Sequence, residues 1–87
     1  MAMVTLRYWA AAKDAAGVAD QKVEAVTLAD ALAAGVAAAG GQGGRLSQVL
    51  ARSSFLVNGE PAGTRPTESI PLANDAVVEV LPPFAGG

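Results

Sequence analysis

The sequence predicts an α+β fold, a mixed sheet of about five strands with one main helix packed on one face. Three observations carry this. Met3-Val4-Thr5-Leu6-Arg7-Tyr8-Trp9 alternates with the period of two that a half-buried strand requires. Leu28, Leu32 and Val36 recur at i, i+4 and i+8, a single stripe on a helix. Ala76-Val77-Val78-Glu79-Val80-Leu81 is β-rich and apolar on both faces, as a central strand must be.

Taken in order, the first strand places Val4, Leu6 and Tyr8 toward the core and Met3, Thr5, Arg7 and Trp9 on the opposite face. Ala10 to Gly17 reads as a connection with a short helical turn, with Lys13-Asp14 in solvent and Gly17 as its stop. Gln21 to Val26 is expected to return as a strand with Val23 and Ala25 on one face. Thr27 can cap the main helix opening at Leu28, and Asp30 stands where a capping-box acid would. Gly40-Gly41 ends that helix, Gln42 to Gly44 continues as loop, and Arg45 to Arg52 forms a short second helix offering Leu46, Val49 and Leu50 to the core. Phe55-Leu56-Val57 is a strand, Asn58-Gly59 a tight hairpin turn, and Glu60 to Ala62 a brief return. Thr64 to Leu72 contains Pro66 and Pro71 and is a loop or a single helical turn. Asn74-Asp75 turns the chain into the last strand.

The strand order, with a helix crossing between the first strand pair and the rest, is that of a β-grasp (ubiquitin-like) sheet. In it the first and last strands lie side by side and parallel. Residues 1–81 are therefore read as one domain and 82–87 as a flexible Gly-Gly tail delivered off its last strand. A chain of 87 residues holds one core, and because 20 of them are alanine, that core rests on the Leu, Val, Ile and aromatic side chains.

Composition excludes much. There is no cysteine and no histidine, which removes disulfides, thiolate nucleophiles, Cys/His metal sites and imidazole acid–base chemistry. No metal ligand set is expected. The net charge is −2, and the basic residues Arg7, Lys13, Lys22, Arg45, Arg52 and Arg65 form no stripe, so nucleic acid is not an expected partner. The longest apolar stretch, Ala29 to Ala39, is broken by Asp30 and Gly35 and falls short of the ~20 residues of a membrane span. With no signal-peptide pattern at the N-terminus, a cytoplasmic location and no membrane partner are expected. The remaining group with a chemical rationale is the chain's own end. Pro82-Pro83 holds the backbone extended, and after Phe84 only Ala85, Gly86 and Gly87 follow, slim enough to thread a narrow tunnel.

At these residues the chain resembles the ThiS/MoaD ubiquitin-like sulfur carriers, most closely the MoaD-type small subunit of molybdopterin synthase. Tyr8-Trp9-Ala10-Ala11-Ala12-Lys13-Asp14-Ala15-Ala16-Gly17 is similar to that family's aromatic-aromatic-Ala-x-x-Arg-Glu-x-x-Gly segment. Leu28 to Leu32 is similar to its helix opening and Val57-Asn58-Gly59 to its hairpin. Pro71-Leu72-Ala73-Asn74-Asp75-Ala76-Val77-Val78 follows its Pro-Leu-x-x-Gly-Asp-x-Val run, and Pro82-Pro83-Phe84-Ala85-Gly86-Gly87 its tail. Lys13-Asp14 stands for the commoner Arg-Glu, and Asn74-Asp75 lacks the turn's usual glycine, Asn being tolerant of the left-handed conformation.

The resemblance implies that Gly87 carries the acyl-adenylate and then the thiocarboxylate, with Gly86 allowing close approach. It implies that Ala85, Phe84 and Pro83 seat the tail, and that Trp9, Leu81 and Pro61 form an apolar docking patch. The implied partners are a large catalytic subunit in a hetero-oligomer, an E1-like adenylating enzyme using ATP and Mg²⁺, and a sulfurtransferase donor. No cofactor is bound by this chain itself, which is catalytic only in complex. A carrier for thiamin or cysteine synthesis, and a ubiquitin-like modifier or interaction module, are the alternatives.

Overall fold

The structure is a computed structural model and describes residues 2–83. The alternating first segment forms β1 (Ala2–Tyr8), with Val4, Leu6 and Tyr8 buried and Met3 and Arg7 turned outward. It is followed by α1 (Ala10–Ala16), β2 (Asp20–Ala25), α2 (Leu28–Ala38), α3 (Gly43–Leu50), β3 (Ser54–Val57), β4 (Glu60–Pro61) and β5 (Val77–Leu81). Short 3-10 turns occupy Gly40–Gln42 and Thr67–Ser69.

The five strands lie in the order β2-β1-β5-β3-β4. β1 and β5 run parallel, with Leu6 opposite Val78 and Tyr8 opposite Val80; the other pairs are antiparallel. This is the β-grasp arrangement, with β5 central as its two-sided apolar pattern requires. The core fills the face on which α2 crosses, and Leu6, Leu28, Leu46, Val4, Val78 and Val80 are its largest fully buried side chains.

Two turns follow their chemistry. Thr27 Oγ1 accepts the Asp30 N–H and Asp30 Oδ2 accepts the Thr27 N–H, each at 3.2 Å, completing the capping box. Asn58 and Gly59 both take positive φ, 51° and 84°, the primed geometry that matches strand twist. Asn58 also ties the hairpin tip to β5, its N–H donating to the Val77 carbonyl at 2.8 Å and its Oδ1 accepting the Val77 N–H at 2.9 Å.

Four details depart from the sequence expectation. Ala10 to Gly17 is a full helix, not a turn, because Ala12 and Ala15 bury at i, i+3 and Gly17, at φ 79°, returns its N–H to the Lys13 carbonyl. On α2 the buried row is Leu28, Ala31 and Gly35, while Leu32 and Val36 are only partly covered on its flank. The reason is close approach to the sheet: a Cβ at Gly35 would sit 2.5 Å from the Tyr8 hydroxyl and 2.7 Å from Leu6 Cδ1. α3 opens at Gly43, two positions early, where a Cβ would meet the Val36 carbonyl at 2.9 Å. In the last turn the left-handed residue is Asp75, at φ 66°, and not Asn74. Asn74 serves differently, its Oδ1 accepting the Met3 N–H at 2.9 Å.

Candidate functional site

Because the helices cover one face of the sheet, the other face is built from the outward residues of each strand. Extending the β1–β5 register by one position sets Trp9 beside Leu81, and Leu81 pairs across β5–β3 with Ser54. The next row inward runs Asp20, Arg7, Glu79, Leu56, Pro61 across all five strands. Trp9 and Leu81, two of the three residues expected to share a patch, are thus direct neighbours. Pro61 is not beside them: it lies two strands from β5, and Leu56 bridges the gap.

Sequence reading did not place Leu56 on this face. The signal was present, since the Asn58-Gly59 turn fixes the hairpin register and so puts Leu56 on the face opposite Phe55 and Val57, which pack against the core. Trp9, Leu81, Leu56 and Pro61 are the apolar residues of these two rows. Asp20, Arg7 and Glu79, alternating in sign, complete the inner row on its β2 side.

Trp9 is held by its backbone, not by its ring. Its extended conformation precedes α1, its N–H donates to the Val80 carbonyl at 3.3 Å, and its carbonyl accepts from Ala12 at 3.0 Å. Trp9 remains 48% exposed, which is high for the largest apolar side chain of a small domain. β5 runs past this patch to Leu81, then to half-buried Pro82 and exposed Pro83. The expectations for Phe84, Ala85, Gly86 and Gly87 fall on residues outside those described.

No charged side chain is buried among the described residues, and no group of three or more His, Cys, Asp or Glu is placed to hold a metal ion. The Tyr8 phenol is raised above the ordinary 10.0 by burial, and it belongs to the core. No helix in the described residues is long and apolar enough to cross a membrane.

The sequence pattern of the ThiS family matches residues 6–87. The chain belongs to the ThiS family. These are ubiquitin-fold sulfur carriers, and the match spans the Trp9–Leu81 patch and the Gly86-Gly87 end alike. No protein of curated function matches the chain by sequence. Among solved structures, SAMP1 from Haloferax volcanii superimposes with a TM-score of 0.78 at 24% identity, covering 98% of this chain and 99% of that one. A putative molybdopterin converting factor subunit 1 from Pyrococcus furiosus gives 0.71 at 19% identity over 97% and 100% of the two chains. A chain from the complex of subunits 1 and 2 of the Helicobacter pylori molybdopterin-converting factor gives 0.66 at 24% identity over 98% and 99%. At these identities the likeness is one of fold, and it bears out the β-grasp expectation.

Proposed function

We propose that this ThiS-family chain is the sulfur-carrier subunit of a molybdopterin synthase, with Gly87 as its terminal, reacting residue. The observation that carries the reading is that the family pattern runs through Gly87 itself, in a chain with no cysteine or histidine to do chemistry elsewhere. A carboxylate resists attack because its charge is delocalised and its oxygens leave badly. The Gly87 carboxylate therefore attacks the α-phosphorus of ATP in an adenylating enzyme that supplies Mg²⁺, and pyrophosphate departs. The persulfide of a sulfurtransferase then forms the C–S bond as the C–O bond to AMP breaks, and a thiol attacks the donor's sulfur in the acyl disulfide so formed, breaking its S–S bond and becoming a disulfide with the donor. The resulting thiocarboxylate is anionic at neutral pH and presents a soft, nucleophilic sulfur to the cyclic pterin precursor, where two transfers build the dithiolene.

In this reading Gly86 keeps the reacting end unhindered, and Ala85, Phe84 and Pro83 seat the tail in the large subunit. Trp9, Leu81, Leu56 and Pro61 dock the body, so that binding energy becomes orientation. A complex of this kind is named for the Helicobacter pylori neighbour. A second reading, a protein modifier, draws support from the backbone's likeness to SAMP1.

Intact-mass spectrometry after incubation with the adenylating enzyme, ATP and a sulfur donor separates the readings. Replacement of one terminal oxygen by sulfur, followed by dithiolene formation when the large subunit and the pterin precursor are added, is the expected result. Thiazole or cysteine production in place of the dithiolene would move the chain to another carrier pathway. Amide adducts on other proteins, with no thiocarboxylate, would make it a modifier. Adding one residue after Gly87, or a Gly87→Val change, is expected to abolish transfer while leaving the melting temperature unchanged.

A further inference from the structure

The two edges of the sheet are unequal. β4, at one edge, has 2 residues, and Pro61 has no N–H to offer a further strand. β2, at the other, has 6. The Tyr8 N–H donates to the Ala19 carbonyl at 2.8 Å, which fixes the phase of the β1–β2 ladder. Gln21, Val23 and Ala25 turn their backbone groups toward β1, while Asp20, Lys22 and Glu24 turn theirs away from it. Among the described residues these outward N–H and C=O groups have no backbone partner. The free lane ends at Val26, whose carbonyl accepts the Leu72 N–H at 2.9 Å beside the Thr27–Pro71 bridge.

A bare edge is a template for another strand, and the charges along it decide which strand fits. Asp20, Lys22 and Glu24 are exposed on the open face of the sheet, negative, positive, negative. A second copy of the chain brings the same pattern reversed, so every register can be judged from the sequence itself. Two antiparallel copies of β2 bond only where these three residues face one another. Centring the pair on Lys22 sets Lys22 against Lys22 and Asp20 against Glu24, like on like. Centring on Asp20 or Glu24 opposes a carboxylate with its own copy. Centring on Val23 matches Lys22 with Glu24 but drives the second copy's Asp20 into the lane that Leu72 fills. Centring on Gln21 sets Asp20 against Lys22 twice and clears Leu72.

We propose that β2 pairs antiparallel with β2 of a second copy, centred on Gln21, and joins the two sheets into one across a two-fold axis. Each Asp20–Lys22 pair exchanges two backbone hydrogen bonds and brings opposite charges together on the open face. The half-buried Gln21 side chains meet on the helical face, where one amide can donate to the other. A strand of 6 residues buries well below the roughly 1,200 Å² of a stable specific interface, so the association is weak and rises with concentration. β1 lies between β2 and β5, so the contact leaves Trp9, Leu81 and Pro82 uncovered. The two-fold sets the two copies of Pro82 at opposite ends of the joined sheet.

Because the chain has no cysteine, a Gln21→Cys variant reads the axis directly. Residues opposed in a non-hydrogen-bonded pair have Cα atoms about 4.5 Å apart, within the span of about 4.4–6.8 Å that a disulfide bridges. Mild oxidation of the full chain is expected to cross-link Gln21→Cys to itself, and Asp14→Cys, exposed on α1, only at the rate of random collision. Sedimentation velocity over a concentration series tests the charges. The wild type is expected to gain mass with concentration, and Asp20→Lys and Lys22→Asp each to weaken the association about tenfold or more. The exchange Asp20→Lys/Lys22→Asp should restore it, and Glu24→Lys should change it little. Unchanged association in both single reversals would overturn the proposal. So would a wild type that stays monomeric throughout with Gln21→Cys cross-linking no faster than the control. Association lost in Glu24→Lys but kept in Asp20→Lys would move the axis to Val23 and overturn the Gln21 register. The charge variants replace exposed side chains, and unaltered melting temperatures verify the fold.

Discussion

Tyr8 shows how one side chain joins the two layers of this fold. It closes the inward row of β1, lies opposite Val80 in the parallel pair, and its hydroxyl reaches the spot that a Cβ at Gly35 would occupy. The backbone of α2 can rest this close only because residue 35 has no side chain, which is why the helix presents its small residues to the sheet and its larger ones to the flank. Burial also raises the phenol above its ordinary value of 10.0, since an ionised oxygen there would lose its water. The folded state then holds its proton after the unfolded chain has released it. Below about pH 10 the group contributes nothing to the pH dependence of stability; as pH climbs from there through the raised folded value, stability falls. Because the chain has a single tyrosine, its ultraviolet titration reports this group alone, and a midpoint above 10.0 is expected. Tyr8→Phe should remove that alkaline component of stability loss. A midpoint at the ordinary value would show the phenol open to solvent.

Among elements, α2 is the one whose start depends on side chains rather than on packing alone. Thr27 and Asp30 satisfy two backbone N–H groups that the first turn leaves without intrahelical partners, and the same segment is pinned from outside by the Leu28 N–H donating to the Ile70 carbonyl at 2.9 Å. Thr27→Ala removes one half of the box and is expected to cost about 1 kcal/mol, a fall of about 4–8 °C in Tm for a domain of this size, while Thr27→Ser should cost little. Thermal melts of the three proteins check this. The box was legible in the sequence because capping is local, and so were β1, the Asn58-Gly59 turn and central β5, whose patterns are read within a few residues. What escaped was set by distant partners. α1 looked like a turn because its buried residues are alanines, which leave no hydrophobic stripe until Leu46 and Leu50 of α3 are brought near. The row facing the sheet on α2 could not be chosen without Tyr8, nor could Leu56 be assigned to the outer patch without joining hairpin register to sheet order. The sequence thus placed Trp9 and Leu81 on one face, where the parallel register makes them neighbours, but not the distance of Pro61 from them, which only the strand order reveals.

For the whole molecule, the division between a packed face and a bare one separates stability from function. Residues inward on β1 and β5 are held on both sides, so their loss unfolds the domain. Trp9 and Leu56 look outward, and truncating them leaves the core row Val4, Leu6, Tyr8, Val78 and Val80 intact. Trp9 is also the only tryptophan, so its emission reports the outer face directly. In the proposed complex the large subunit covers an indole that is half exposed in the free chain, and burying it shifts its emission to shorter wavelength. Titrating the carrier with the large subunit should therefore give a saturable blue shift whose midpoint is the Kd. An aromatic anchor at the centre of an interface is typically worth 2 kcal/mol or more, so Trp9→Ala is expected to weaken the complex by at least about 30-fold, read by calorimetry because the variant has no indole. Its melting temperature should stay within a few degrees of wild type. Equal affinity in the two proteins, or a blue shift absent at saturating partner, would mean that the large subunit seizes the carrier by its tail alone and that the apolar face serves some other contact.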